Sequence, residues 1–418
     1  MTTADIVRPL ALTVGLLGRF WPQLLLIGSI GYVVRDLLLE ASVSVGLQHP
    51  LGGMLVLSLV VLAKLLVVVL MFAVLRPAMP AVAALRQESS NAGARPDRPA
   101  AGDHLLGVTA AAVLPFFAYY AAWGFLGDTV REYSRLALQR VPFGERLNIF
   151  DLVHSRGVVV AIAACWLIRW IAKRMNARAR HPYWRLLVVA ADASWIFIGL
   201  YALGVWKNDL ITWMGAGSLL QSWNWNMPSL TMAAHAAGGF TPVEFRPPGL
   251  FEQLQGLFFY ALLPMVWLVM AAIINGYELS AASSPAAGPP SGAATRRKWL
   301  RDFVKYFVGG YRSRYQPVWT CLRLTLSAGL ATLLTFVIAY RALNWLGAWL
   351  WFGATRLIGV HDLATWQVIA NVIDVFIGSP SDLDGGILLD AVRIALLAAV
   401  LEHAVATQRA PRTQAAST

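Results

Sequence analysis

The sequence predicts an all-α transmembrane protein of about eight spans, built as four repeated helical hairpins with interfacial or re-entrant amphipathic connections on the outer face. Of the 418 residues, 58% are hydrophobic and only 13% are charged, against about 25% charged residues in a soluble domain. Apolar stretches of roughly 20 residues, long enough to cross a bilayer, recur along the chain. An outgoing apolar helix, an aromatic half-polar stretch and a returning helix follow one another four times, which predicts duplication of a hairpin.

Each predicted hairpin contains two spans. In chain order the hairpins and their spans are 1–86 (20–39 and 51–75), 105–180 (105–127 and 157–172), 181–279 (184–206 and 250–275) and 317–408 (319–340 and 387–405). Segments rich in small and polar residues predict flexible linkers at 87–104 and 280–295, and a polar tail at 409–418. The third and fourth hairpins are the best-matched copies, because each opens with Pro-x-Trp, at Pro182 and at Pro317.

The basic residues predict the orientation in the membrane. The chain has 34 Lys and Arg against 22 Asp and Glu, a net charge of +12, and much of this excess lies in short segments beside apolar spans. Cytoplasmic loops of membrane proteins carry such an excess. We therefore expect a multi-pass protein of a bacterial-type cytoplasmic membrane with both termini in the cytoplasm. Because membrane orientation accounts for the basic residues, we do not expect nucleic acid as a partner.

Residues 296–316 form a predicted basic amphipathic helix on the cytoplasmic surface. Aromatic and aliphatic residues alternate there with the cations Arg296, Arg297, Lys298, Arg301 and Lys305. Such a helix lies in the interface and is attracted to anionic lipid. The alternative is a docking surface for a cytoplasmic partner.

Lys64 and Asp192 are the two ionisable residues predicted near mid-depth of a span. A charge at the centre of a transmembrane helix costs roughly 2.5–3.5 kcal/mol on insertion scales, so it is expected to pair or to face water. The two residues have opposite charges. They predict either a fixed ion pair between hairpins or a polar site on a substrate or proton pathway.

A second polar cluster lies in the last predicted span and consists of Asp390, Arg393 and Glu402, followed by His403. Asp390 and Arg393 are three residues apart and therefore lie on one helical face. The cluster predicts either an i,i+3 ion pair on a protein-facing surface or a further polar site in the membrane.

Enzyme and metal signatures are weak in the sequence. It has no HExxH motif and no P-loop, and its two cysteines lie in apolar stretches. Asp382 and Asp384 form a DxD sequence, but the surrounding Ser, Pro and Gly residues are typical of a turn before a helix. We therefore expect no catalytic residue, no metal site and no cofactor.

Three functions remain open from the sequence. The first is transport or permeation, indicated by the repeated hairpins and the charges at mid-depth. The second is a non-catalytic membrane subunit or scaffold of an envelope complex, in contact with other subunits or with copies of itself. The third is a membrane enzyme for a lipid-linked substrate, which rests on Asp382 and Asp384 and on the aromatic residues predicted at the outer face.

Overall fold

The computed structural model of the chain describes residues 3–84, 109, 112–113, 116–117, 125–141, 156–179, 182–216, 249–275, 329–378 and 386–415. Over these residues the chain is helical and contains no strand. The α-helices of this described part are α1 (Thr3–Gln48), α2 (Pro50–Leu75), α3 (Phe125–Arg140), α4 (Arg156–Ala179), α5 (Pro182–Ala216), α6 (Leu250–Ile274), α7 (Leu330–Ile358), α8 (Leu363–Ile377) and α9 (Ile387–Ala415).

Four helical stretches among the described residues are long and apolar enough to cross a bilayer: Val7–Gln48, Pro50–Ala78, Tyr183–Leu200 and Ala331–Ile358. They overlap the first, second, fifth and seventh predicted spans and support the membrane class. The fourth, sixth and eighth predicted spans are helical, in α4, α6 and α9, but are not among these four. The third lies mostly outside the described residues. The count of eight and the repeat of the hairpin therefore stay predictions.

Helices α1 and α2 form an antiparallel pair around a tight turn. His49 is extended (φ −147°, ψ 106°) and Pro50 begins α2, where the missing N–H of proline would be unpaired anyway. Two glycines let the backbones approach closely beyond the turn: a Cβ on Gly53 would lie 2.6 Å from the Cα of Gly46. Tyr133 of α3 packs onto the same crossing.

Helix α9 lies at the centre of the fold. It packs along α1 and also contacts α2, α6, α7 and α8, and residues 394–405 are buried on every side. The ionisable residues Asp390, Arg393 and Glu402 weaken the hydropathy of this predicted span. Glu402 is buried by other helices, and Arg393 is mostly buried, which lowers the cost of these two charges in the helix.

The remaining helices surround this core. Helix α5 packs on α2, where the hydroxyls of Ser58 and Ser194 form a buried hydrogen bond of 2.8 Å. Helix α4 packs along α5 across a link of two residues, so these two helices form an antiparallel pair that crosses the predicted boundary between hairpins 105–180 and 181–279.

All four predicted outer connections contain helical residues: α1 continues to Gln48, α3 lies in the second connection, α5 continues to Ala216, and α7 and α8 lie in the fourth. Helix α7 continues well past its predicted end at residue 340 and ends at Ile358, before Gly359 (φ +83°). The aromatic residues Trp345, Trp349 and Phe352 therefore belong to a continuing helix, because no residue before Gly359 interrupts it. Between the predicted spans 105–127 and 157–172, α3 begins at Phe125 and ends at Arg140.

Candidate functional site

A cavity of about 540 Å³ lies among helices α1, α2, α3, α6, α7, α8 and α9. Its cationic lining residues are Arg35, Lys64, Arg131, Arg135 and Arg393. Its carboxylate lining residues are Glu132, Asp374 and Asp390. Small-molecule sites typically occupy about 300–1,000 Å³, so the size and the charged lining both fit a binding site or a permeation route.

Two glycines of α1 bring the neighbouring helices close to one wall of the cavity. A Cβ on Gly28 would lie 2.8 Å from a methyl carbon of Ile387, and a Cβ on Gly31 would collide with Val67. Helices α2 and α9 therefore approach the α1 backbone closely at these points, and both glycines and both of their neighbours line the cavity.

Lys64 reaches this cavity from the middle of α2. Its Cα lies about 20 Å along the helix from Pro50, at a rise of about 1.5 Å per residue. No other charged residue occurs in α2. Lys64 is half-buried and lines the cavity, so the residue that the sequence predicts at mid-depth of a span is part of this charged lining.

Asp192 lies elsewhere and does not pair with Lys64. Its carboxylate forms an ion pair with Arg169 of α4 and accepts a hydrogen bond of 3.0 Å from the indole N–H of Trp195. Both charged side chains are about one-sixth exposed. The two predicted mid-depth charges therefore have different surroundings: Asp192 joins α4 to α5, whereas Lys64 faces the cavity.

Asp390 and Arg393 form the ion pair that their spacing predicts, with 3.0 Å between Nη1 and Oδ1. Arg393 also donates a hydrogen bond of 2.8 Å to the amide oxygen of Asn344, and its guanidinium lies 5.8 Å from the ring centre of Tyr340. These contacts fix the arginine against α7. Both members of the pair line the cavity.

Glu402, the third member of the predicted cluster, has a separate role. Its two carboxylate oxygens accept hydrogen bonds from the backbone N–H groups of Ala81 (2.6 Å) and Val82 (3.1 Å). These donors belong to the first turn of the helical segment that follows α2. The first N–H groups of a helix have no partner within it, and a carboxylate there also interacts favourably with the helix dipole.

The charges of the cavity occupy different depths along the helix axes. Ile387 packs on Gly28, and Glu402 of the same helix reaches Ala81, far from the α1–α2 turn. We measure depth along the helix axes from the Gly28–Ile387 contact. Arg35 lies about 10 Å from this contact toward the α1–α2 turn, and Arg393 lies about 9 Å from it in the opposite direction. The charged lining therefore extends over about 20 Å along the helix axes.

Sequence reasoning missed the contribution of α3 and α8. Glu132 of α3 forms an ion pair with Arg35, and Arg140 binds Glu40 at 2.8 Å. Asp374 enters the cavity from α8. The available signal was the amphipathic pattern of these helices, but the pattern does not identify which distant helix receives their polar faces.

Several predicted residues lie outside the described part of the chain. They include the whole basic helix 296–316 and the pair Asp382 and Asp384. Within the described ranges, no group of three or more His, Cys, Asp or Glu side chains is placed to hold a metal ion. Comparisons of the chain with protein-family models, with curated proteins and with solved structures find no match.

Proposed function

We propose that this membrane protein transports, or allows the permeation of, a small polar solute through the cavity around Lys64. The observation that carries the proposal is a cavity in which charged side chains from five helices, α1, α2, α3, α8 and α9, are distributed over about 20 Å along the helix axes. Charges in a bilayer are costly unless they pair or contact water. A cavity that collects both signs at several depths supplies the polar surroundings that a solute needs to cross.

Membrane orientation is part of this proposal. The basic linkers support a multi-pass protein of the cytoplasmic membrane with both termini inside the cell. The predicted basic helix 296–316 would then contact anionic lipid on the cytoplasmic face. The further spans and the duplicated hairpins belong to the same proposal, because repeated helical units commonly place a polar site between them.

The contact of Asp192 with Arg169 favours a second candidate, a non-catalytic membrane subunit. An ion pair in a seam between two helices holds the helices in register, and Asp192 contributes nothing to the described cavity lining. On this alternative the polar cavity would be structural, and the protein would bind other subunits or copies of itself.

Flux measurements distinguish the two candidates. Purified protein is reconstituted into liposomes, and uptake of erythritol, p-toluenesulfonate and benzyltrimethylammonium is compared with uptake by protein-free vesicles. The proposal predicts that at least one solute enters faster with the protein, and that Lys64→Met lowers its rate whereas Asp192→Asn does not, per amount of folded protein. Equal rates in all preparations for all three solutes would refute transport and favour the subunit.

A further inference from the structure

We propose that α8 enters the bilayer as a half-span, a helix that reaches only mid-depth, and that it forms one discontinuous membrane segment with α9. The segment is broken at mid-depth beside the cavity, and the acyl chains of lipids cover the exposed apolar face of α8. Such a segment would be present in a transporter and in a non-catalytic subunit alike, so it goes beyond the proposed function.

Helix α1 supplies the depth scale. Residues 20–34 contain no charged residue, and the exposed side chains of Arg19 and Asp36 flank them. These two residues are about 26 Å apart along the helix, which is close to the roughly 30 Å thickness of the hydrocarbon core. Gly28 lies midway between them. The contact of Gly28 with Ile387 at the start of α9 therefore marks the middle of the bilayer.

Helix α7 extends from this level toward the α1–α2 turn. A Cβ on Gly347 would lie 2.6 Å from Leu389. Asn344, one turn earlier in α7, accepts its hydrogen bond from Arg393, one turn later in α9. The two helices are therefore antiparallel, and α7 continues beyond Gly347 for about 17 Å toward the turn before it ends at Ile358.

Helix α8 follows after four residues and returns to mid-depth. A Cβ on Gly386 would lie 2.3 to 2.5 Å from backbone atoms of Phe376, Ile377 and Gly378, so the end of α8 meets the start of α9. With 15 residues, α8 is about 22 Å long and shorter than the roughly 20 residues that a full span needs. Helix α8 thus covers one half of the bilayer, and α9 continues from there to the other side.

The polar face of α8 is turned to the cavity. Asp374 is the one charged residue of α8, and it lines the cavity together with Gln367 and Asn371. These residues are three and four positions apart and therefore share one face of the helix. The charge of this half-span consequently meets the cavity and not lipid, as a charge in a bilayer requires.

A second face of α8 is apolar and exposed. Val368, Val372 and Phe376 are 64%, 53% and 49% exposed, and their spacing of four residues places them in one stripe. Near mid-depth, α1 likewise exposes the apolar side chains of Leu26 and Ile30. Lipid acyl chains are the partner that suits an apolar stripe at this depth.

The break lies where irregular backbone is tolerated in a membrane. Gly378, with φ +84°, ends α8, and both Gly378 and Gly386 line the cavity. Non-helical backbone at membrane depth must be buried in protein or line a water-filled cavity. Discontinuous helices of transporters break at mid-depth in such surroundings.

Spin labels at exposed positions measure the depth of α8. Single cysteines replace Val368 and Phe376 of α8, and Ile30 and Leu37 of α1, in a full chain whose two native cysteines are replaced by serine. All four side chains are exposed, so a label there leaves the packing intact. Power saturation in liposomes compares access of oxygen, which enters the bilayer, with access of a water-soluble nickel chelate.

A half-span predicts different depths at the two ends of the stripe. The label at Phe376 should lie about 12 Å deeper than the label at Val368, and should match Ile30, whereas Val368 should match the shallow Leu37. Equal depths at Val368 and Phe376 would place α8 flat on the membrane and overturn the proposal. Low access of both reagents at Phe376 would also overturn it, because protein and not lipid would cover the stripe.

Gly386→Ala tests the junction between α8 and α9. Its added methyl group would collide with the backbone at the end of α8, so hydrogen exchange of the Gly378 amide, which bonds to the carbonyl of Asp374, should accelerate about fivefold or more. Gly353→Ala is the control, since its Cβ meets no atom within 4 Å, and should change this rate by less than about twofold. Unchanged exchange in Gly386→Ala, or equal acceleration in both variants, would contradict the meeting of the two helices.

Discussion

Arg169 of α4 and Asp192 of α5 form an ion pair across the seam of an antiparallel helix pair. Removing one partner leaves the other charge in a mostly buried position, which commonly costs about 3–5 kcal/mol. We expect Arg169→Met and Asp192→Asn each to lower the free energy of unfolding by roughly 3 kcal/mol, and the double variant to lose less than the sum. Denaturation of the purified variants in mixed micelles measures this.

Arg174→Gln is the matched control for that pair, since Arg174 is an exposed cation on the same helix. It is expected to change the free energy of unfolding by less than about 0.5 kcal/mol. Additive losses in the Arg169 and Asp192 double variant would show that the two residues do not interact.

The close approach of Gly53 to Gly46 predicts a strong effect of a single methyl group. A Cβ on Gly53 would lie 2.6 Å from a backbone carbon, so no side-chain rotation can relieve the overlap. We expect Gly53→Ala to destabilise the protein by about 1–3 kcal/mol. Gly15→Ala is the control, because a Cβ at Gly15 meets no atom within 4 Å and alanine favours the helix. Equal thermal stability of the two variants would contradict the close approach of the α1 and α2 backbones at Gly46 and Gly53.

Glu402 connects α9 to the helical segment that follows α2. We expect its replacement to destabilise that segment. Glu402→Ala would leave the N–H groups of Ala81 and Val82 without their acceptor, at a cost of about 1–3 kcal/mol. Glu402→Gln keeps one acceptor oxygen and should lose less. Hydrogen exchange at Ala81 and Val82 measures the effect, and unchanged protection in Glu402→Ala would contradict it.

Asp362 makes the start of α8 sensitive to acid. Its carboxylate accepts hydrogen bonds from the backbone N–H (3.1 Å) and the hydroxyl (2.6 Å) of Thr365, and these bonds lower the pKa of Asp362 below 3.8. Because the folded state lowers this pKa, the stabilisation is complete above about pH 4 and is lost as the pH falls through the lowered value. Hydrogen exchange of the Thr365 amide, relative to its intrinsic rate at each pH, should therefore accelerate as the pH falls below about 4.

Asp362→Asn is the control for the acid effect, since asparagine also caps helices but does not titrate. Its Thr365 amide should show no such step in protection between pH 5 and about pH 2. A similar step in this variant would assign the acid sensitivity to another group.

The sequence was sufficient for the membrane class and for helical residues within seven of the predicted spans, because apolar length is a local property. The partner of Asp192 is harder to predict from the sequence. Arg169 and Asp192 are equally distant in sequence from the two-residue link between α4 and α5, and the two helices pack against each other, so the side chains meet. Their pairing follows from the sequence only if the two helices are known to pack as an antiparallel pair.

The cavity could not be predicted because it depends on packing between distant segments. The predicted span 20–39 ends shortly after Arg35, yet α1 continues to Gln48, and Glu132 reaches Arg35 from α3. Asp374 lies in a helix too short to span, and the Gly28–Ile387 contact joins residues from opposite ends of the chain. Periodicity identifies the polar face of each helix but not the face that it meets.

Water accessibility of residue 64 in intact membrane vesicles tests the central claim most directly. Single cysteines are introduced as Lys64→Cys and Leu66→Cys in a chain whose Cys165 and Cys321 are replaced by serine, and each is treated with a charged, membrane-impermeant thiol reagent. Leu66 is 38% exposed on the protein surface, where lipid would cover it, whereas residue 64 lines the cavity. We predict rapid modification at position 64 and none at position 66; no modification at position 64, or equal rates at both, would contradict a polar cavity within the membrane.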